Sequence, residues 1–292
     1  MRLVKRPNPA LDGQFDFEGS VKYILSMLLA IDIGNSKTHF GIYNAVRPVK
    51  RPDAAIDELV QTFLGDSDRK LDTDKCMQLV KEQLAKAGLD ASRIDRVGIA
   101  SVVPNLTSVY QEIAEKLFCV SPLIISSGLE LPIKIGYDEP SQLGADRIAN
   151  AVAGFAKFGG PLIIVDYGTA INFEVITDNG IFIGGVIAPG PETSLAGLTA
   201  KAAQLFEVRI EEPSRSIAKD TENAIKSGLF YGTIGQVDGI IKTILDELTV
   251  PARVVATGGL SHFFAPHSAY IKSIHPNLTL DGIRIIVNHQ SV

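Results

Sequence analysis

The stretch Leu28–Tyr43 reads LLAIDIGNSKTHFGIY. An apolar run, Leu28 to Ile31, ends in Asp32. Gly34, Asn35 and Ser36 follow, and a second run covers Thr38 to Tyr43. Two such runs around a tight Gly/Asn turn predict a β-hairpin. Its tip carries a carboxylate, a glycine and hydroxyls, with Lys37 among them. Gly34 permits close backbone approach, so amides and hydroxyls can face a bound anion. Asp32 has the wrong sign to touch a phosphate, but it suits a hydrated Mg²⁺ that does. The same residues also suit an ordinary hairpin in which Asp and Asn form the turn. The stretch alone does not separate the two readings.

The chain around it has 292 residues, 46% hydrophobic and 21% charged, with a formal net charge of −5. At roughly 100–200 residues per domain, this length predicts two domains. The mildly acidic balance argues against a nucleic-acid binder, which would show a basic face. Cys76 and Cys119 are far apart, without ligand-like spacing, and are expected to be packed thiols. No run is long and apolar enough to cross a membrane, and a cytoplasmic protein is expected. Residues 1–26 mix charges with Pro7, Pro9 and Gly13 and lack the apolar stretch of a signal peptide. The domain is therefore expected to begin at Met27, with 1–26 an extension or a start placed too far upstream.

After the hairpin, Arg47 to Asp53 reads as a loop, and Ala55–Phe63 and Asp74–Ala87 as amphipathic helices, the second with Thr73 as N-cap. Val97–Ala100 is a strand, and Pro104 opens a helix to about Leu117. Such alternation predicts an α/β sheet flanked by helices. The second half repeats the plan. IIVDYGTAINFEVI echoes LLAIDIGNSKTHFGIY, with Asp166, Gly168 and Thr169 answering Asp32, Gly34 and Ser36 at one residue of slippage. An internal repeat implies two similar domains, each with a hairpin tip toward a shared cleft. Thr221–Leu248 is a long helical stretch containing Gly228, Gly232, Gly235 and Gly239. That spacing suggests close packing on another helix or a dimer partner, or a break near Gly232. Val254–Ala256 runs into Thr257, Gly258 and Gly259, which suits a nucleotide against backbone or simply a tight turn.

Together these segments resemble type III pantothenate kinases of the acetate kinase/sugar kinase/Hsp70/actin superfamily. The matching pieces are DIGNSKTHFGIY, ASVVPNL, YDEPSQLGADRIANAVAG, IIVDYGTAINFEVI, GGVIAPG, DTENAIKSGLFYGTIGQVDGII and VVATGGL, with LTLDGIRIIV at the tail. The resemblance implies two duplicated ribonuclease H-like (actin-like ATPase) domains, residues 27–141 and 142–292, around an interdomain cleft. The second would carry the dimerisation helices. The implied reaction is ATP-dependent phosphorylation of pantothenate to 4′-phosphopantothenate, the first step of coenzyme A biosynthesis.

On this resemblance ATP is handled by Asp32, Ile33, Gly34, Asn35, Ser36, Lys37, Thr38 and His39, by Gly168 and Thr169, and by Gly258 and Gly259. Asp32 holds Mg²⁺ indirectly, and Asp166 binds a monovalent cation, K⁺ or NH₄⁺. Lys37 is equally a solvated lysine, and His39 reads first as a half-buried strand residue beside the phosphate loop. Asp146, in GADR, is the general base, and Arg147 grips the pantothenate carboxylate. Without the motifs, that pair reads as a helix N-terminal Asp beside an exposed Arg. Tyr137, Gly144 and Ala145 line the substrate site. Thr221 reaches pantothenate from the neighbouring subunit of a homodimer, or merely caps its helix.

Two positions and one segment depart from the family pattern: Ser36 for a common threonine, Asp220 for a frequent asparagine, and KAAQLFEV without the threonine and proline often seen there. A regulatory homologue without turnover and another superfamily activity, a sugar kinase or polyphosphate hydrolase, are the competing readings. Asp32, Asp146, Arg147 and Asp166 argue against the first, and GADR and Thr221 against the second.

Overall fold

The computed structural model describes residues 14–17, 21–48, 56–67 and 72–290. Its strands are β1 (Gln14–Phe17), β2 (Val21–Ile33), β3 (Lys37–Pro48), β4 (Ile56–Asp66), β5 (Ile94–Ser101), β6 (Leu123–Ile124), β7 (Lys134–Ile135), β8 (Leu162–Tyr167), β9 (Ala170–Ile176), β10 (Ile181–Pro189), β11 (Arg253–Thr257) and β12 (Ser273–Ile274). Its helices are α1 (Thr73–Lys86), α2 (Pro104–Ile113), α3 (Ala145–Phe158), α4 (Pro191–Lys201), α5 (Thr221–Leu248), α6 (Ser261–Phe264) and α7 (Leu278–His289). They form a mixed α/β protein with two mixed sheets flanked by helices.

Two compact units divide the chain. The first takes the described residues up to Pro132, Ser141–Ala149 and the C-terminal stretch from Thr279; the second takes Ile133–Pro140 and Asn150–Leu278. The boundary thus falls inside α3.

In the first unit the strand order is β4-β3-β2-β5-β6, with β1 added on β2. β3 runs antiparallel between β2 and β4, and β5 and β6 run parallel to β2. Alternation along the strands sends Leu29, Ile31, Phe40 and Ile42 to the face covered by α1 and α2, where they meet Val80, Leu84, Leu106 and Tyr110. On the other face, glycines stand at two contact points with α7. A β-carbon at Gly41 would press on Leu280, and one at Gly98 on Ile283 and Val287, so these glycines let α7 lie directly on the sheet. Tyr43 donates to Asp281 Oδ1 at 3.0 Å, and Arg284 pairs with Asp57 at 2.9 Å, which fixes the register of α7.

Helix α7 also meets α3. A β-carbon at Gly282 would sit 1.9 Å from the Ala149 carbonyl oxygen, so only glycine fits there without moving backbone. The variant Gly282→Ala is expected to destabilise the protein by about 1–3 kcal/mol, the usual cost of overpacking. Thermal denaturation checks this, and an unchanged melting temperature would contradict the close approach.

In the second unit the order is β12-β11-β8-β9-β10-β7. β8, β9 and β10 are antiparallel neighbours, and β11 and β12 run parallel to β8. Leaving β7 aside, this is the order and set of directions of the first sheet. Ile163, Val165, Phe173 and Val175 pack under Phe230, Val237, Ile241 and Ile244 of α5.

Several expectations need correction. Residues Ala55–Phe63 read as a helix because Ile56, Leu59, Val60 and Phe63 recur at helical spacing. From Ile56 onward they form β4. The ladder to β3 has a bulge between Ile42 and Tyr43, and Val60 is the extra, exposed residue. Phe63 stacks on Phe40, while Leu59 pairs with Tyr43 on the other face. A bulge shifts alternation by one residue and so imitates a helical period.

β2 begins at Val21, upstream of Met27, and pairs there with β1. Residues 1–13 and 18–20 of the N-terminal segment, and most of the expected loop at 47–53, lie outside the described residues. Asp72, not Thr73, caps α1, and Thr73 donates to Glu112 instead. Cys76 is buried as expected, but Cys119 is exposed, in the left-handed conformation that ends the turn after α2. α5 is unbroken at Gly232. A β-carbon at Gly228, Gly232, Gly235 or Gly239 would meet nothing within 4 Å, so these glycines serve no helix contact among the described residues.

Candidate functional site

The β2–β3 turn is held from three sides. Gly34 N–H donates to the Lys37 carbonyl at 3.0 Å and closes the turn. On the β5 side, Val102 N–H donates to the Ile33 carbonyl at 3.1 Å. Val102 belongs to a turn in which Ser101 Oγ accepts from Val103 N–H and from Thr107 Oγ1 before Pro104 starts α2. On the β4 side, Ser67 N–H donates to the Ser36 carbonyl at 3.2 Å, and Lys37 Nζ lies 2.5 Å from Asp66 Oδ1. Lys37 and Asp66 are both well exposed, so their ion pair adds only about 0–1 kcal/mol.

The tip residues divide by direction. Asn35, Ser36 and Lys37 face solvent, whereas Asp32 and Gly34 are half-buried. Ile33 is fully buried and can offer a ligand only its backbone. Thr38, expected at the phosphates, is also fully buried, and its hydroxyl shares a 2.9 Å hydrogen bond with Ser67 Oγ. Its role is to hold the turn. His39 is half-buried opposite Asp32, and burial lowers its pKa, so it stands neutral at pH 7.

Asp146 and Arg147 occupy the first turn of α3. The Asp146 carboxylate folds back over the helix N-terminus, where Oδ1 accepts from Arg147 N–H at 2.8 Å. A β-carbon at Gly144 would lie 2.5 Å from that oxygen, so the glycine clears space for the carboxylate. Burial raises the Asp146 pKa; the Arg147 amide and guanidinium oppose this without overcoming it. The result is a carboxylate of enhanced basicity, the property a general base needs. Arg147 is only 5% exposed, which excludes the reading of it as a surface arginine. Ala145 is buried at the start of the same turn.

In the second unit, Asp166 stands where Asp32 stands in the first. Asp32 lies between His39 and Ala100, and Asp166 between Asn172 and Thr257, each near the end of its strand. The turn after it is closed by Gly168 N–H donating to the Ala170 carbonyl at 3.0 Å. That turn is one residue tighter than the Gly34–Lys37 turn, which is the slippage seen in the repeat. Gly190 N–H and Thr193 Oγ1 both donate to the Thr169 carbonyl, at 3.1 and 2.6 Å, and leave Gly168 and Thr169 exposed at the tip. Asn150 Nδ2 donates to Asp166 Oδ2 at 2.9 Å. Gly258, at φ +89°, passes so close that a β-carbon there would lie 2.4 Å from Asp166 Oδ1, whereas one at exposed Gly259 would meet nothing. Tyr137 is half-buried and tilted against Phe182.

Thr221 is exposed at the first position of α5, in a groove of about 810 Å³ lined also by Leu198, Leu205, Ile225 and Leu229. It does not cap the helix. Asp220 does, accepting from Asn223 N–H at 2.9 Å, and that bond holds its carboxyl below the usual range. Asp and Asn cap helices equally well, so the departure at 220 keeps the cap.

Ser67, Asn150 and Gly190 are the supporting residues that sequence reasoning did not find. Asn150 carried a signal, since it follows Asp146 by one helical turn in GADRIAN. Ser67 was hidden by the helical reading of β4.

The matched model for type III pantothenate kinases covers residues 28–243, a span that includes both hairpins, the GADR turn and most of α5. The chain belongs to the type III pantothenate kinase family. A type III pantothenate kinase of Geotalea daltonii is 41% identical over 260 residues, 89% of this chain and 97% of that one. One from Acidobacterium capsulatum is 39% identical over 264 residues, covering 90% and 95%. Among solved structures, a Campylobacter jejuni protein described as a conserved Baf family transcriptional activator superposes at a TM-score of 0.50. It shares 19% identity, with 90% of this chain and 98% of that one covered, which speaks for the fold alone.

Proposed function

We propose that this chain transfers the γ-phosphoryl group of ATP to the primary hydroxyl of pantothenate, giving 4′-phosphopantothenate for coenzyme A biosynthesis. The observation that carries the reading is the family match across residues 28–243, which holds Asp146 and both Asp–x–Gly hairpins within one span. The fold we infer is the duplicated ribonuclease H-like arrangement of the superfamily. Its support is that both sheets share one strand order, with a carboxylate at the same register. The functional division follows the two halves, 27–141 and 142–292, with α7 returning to the first.

Phosphoryl transfer needs positioning and charge stabilisation more than covalent help. The backbone of Ile33–Thr38, the side chains of Asn35, Ser36 and Lys37, and exposed Gly168 and Thr169 take the phosphates, with His39 beside them. Gly258 and Gly259 lie along the adenosine. Asp146 accepts the proton of the attacking hydroxyl, and buried Arg147 binds the carboxylate of pantothenate by two parallel hydrogen bonds. Gly144 and Ala145 leave room for the acceptor, and Tyr137 closes on it.

Half-buried Asp32 at the turn would hold Mg²⁺ indirectly, through the ion's water shell, since Mg²⁺ keeps several waters and takes few protein carboxylates. Asp166, with one oxygen fixed by Asn150, fits a monovalent cation, K⁺ or NH₄⁺. When bound, these ions offset phosphate charge.

The active form is a homodimer in which Thr221 reaches the partner's pantothenate. Support comes from α5, where a β-carbon at any of its four interior glycines would meet nothing within 4 Å among the described residues, and from the apolar groove beside Thr221.

Coupled ADP release from ATP, Mg²⁺ and pantothenate, with and without K⁺ or NH₄⁺, tests the proposal. Turnover that needs pantothenate and rises with the cation is expected. Absence of turnover under every cation condition overturns it.

A further inference from the structure

Two consecutive residues at the end of β4 grip three consecutive residues of the β2–β3 turn. Ser67 N–H binds the Ser36 carbonyl, Asp66 pairs with Lys37, and Ser67 Oγ bonds Thr38 Oγ1. The members differ in environment. Lys37 and Asp66 are solvated, whereas Ser67 is 5% exposed and Thr38 fully buried. A hydroxyl pair out of water is costly to break, because the remaining group stays buried without its partner. Ser67 therefore fixes the turn on both sides of Lys37, at the Ser36 carbonyl through its N–H and at the Thr38 hydroxyl through its Oγ.

We propose that Ser67 is a positioning residue for the nucleotide, setting the backbone of residues 36–38 at the spacing a phosphate requires. The inference rests on the reading of this hairpin as an ATP-binding element. Ser67 itself need not touch ATP. It acts through Ser36 and Thr38, so its loss should weaken ATP binding specifically and leave the acceptor side alone. A purely structural strand end would behave differently, lowering stability and all kinetic constants together.

The test uses the full chain. ATP affinity is measured by calorimetry with a non-hydrolysable ATP analogue, together with KM for ATP, KM for pantothenate and kcat. Ser67→Ala is expected to raise both the analogue Kd and KM for ATP by about tenfold, the equivalent of one hydrogen bond of ~1.4 kcal/mol. KM for pantothenate should stay constant, and Ser67→Thr, which keeps the hydroxyl, should restore ATP affinity. Thr38→Val removes the same bond from the other side. It should show the same split, and it serves as the readout if Ser67→Ala does not fold. Unchanged ATP affinity, or a parallel loss in both substrates, overturns the proposal. Asp32→Asn separates the two levels. If it weakens ATP binding while Ser67→Ala does not, only the positioning role fails. If neither variant affects ATP binding, the hairpin is not the nucleotide site.

Discussion

The variant Asp146→Asn is expected to lose about 10²–10⁴ in kcat, the usual contribution of a general base, with little change in KM for either substrate. Asn keeps the shape of the side chain and can still meet the Arg147 amide. What it cannot do is take the hydroxyl proton. Stability should move the other way. Burial raises the folded pKa of Asp146 above its unfolded value, so the unfolded chain gives up this proton first. The group therefore costs stability as pH rises from the unfolded pKa to the folded one, and the cost persists above that window. Removing the charge at neutral pH should leave the melting temperature equal or higher while turnover collapses.

The same shift has a kinetic sign. The acid limb of kcat/KM should lie above the ordinary aspartate range of about 3.9 and should vanish in the variant. Steady-state kinetics across pH, paired with thermal melts, check both statements. Full activity in Asp146→Asn would reassign the base.

The second large effect separates two adjacent glycines. Gly258 has φ +89°, and a β-carbon there would strike Asp166 Oδ1 at 2.4 Å and the Tyr167 backbone nitrogen and oxygen at 2.6 Å. Left-handed strain of about 1–3 kcal/mol then adds to overpacking of about 1–3 kcal/mol. Gly258→Ala should therefore lower the melting temperature markedly and disturb Asp166, and under the proposed cation role of Asp166 it should also weaken any stimulation by K⁺ or NH₄⁺. Gly259 is exposed, and a β-carbon there meets only open space. Gly259→Ala should melt like the parent and, if adenosine lies there as proposed, raise KM for ATP alone. Denaturation and ATP kinetics on the pair check this. Equal behaviour of the two variants would contradict the division between a packing glycine and a binding glycine.

How much of this could be read from the sequence depends on how local the determining physics is. The β2–β3 and β8–β9 hairpins were legible because each couples an apolar run to an Asp–x–Gly turn, and the repetition removed the ambiguity of either alone. The span of α5 was legible because no proline interrupts it, but its sequence left a break near Gly232 open and offered Thr221 rather than Asp220 as the cap. Asp146 and Arg147 were legible as a motif, but the motif could not show that burial wins over the helix amides at Asp146. β4 was not legible. Its identity rests on pairing with β3 and on a bulge at Val60, both non-local, while its apolar spacing imitates a helix. Without that strand Ser67 had no visible partner, and the resemblance alone placed Thr38 at the ligand, whereas its hydroxyl is buried against Ser67. The seating of α7 on Gly41, Gly98 and Ala149 was equally out of reach, because it joins segments separated by most of the chain.

The central claim is the identity of the phosphoryl acceptor. The most direct measurement offers γ-labelled ATP and Mg²⁺ to the full chain with pantothenate, a set of hexoses and N-acetylated sugars, and polyphosphate present together. The products are then identified by mass spectrometry. Label on the primary hydroxyl of pantothenate, and on no sugar, is the predicted result. Label on a sugar, hydrolysis of polyphosphate, or no transfer to pantothenate would contradict it.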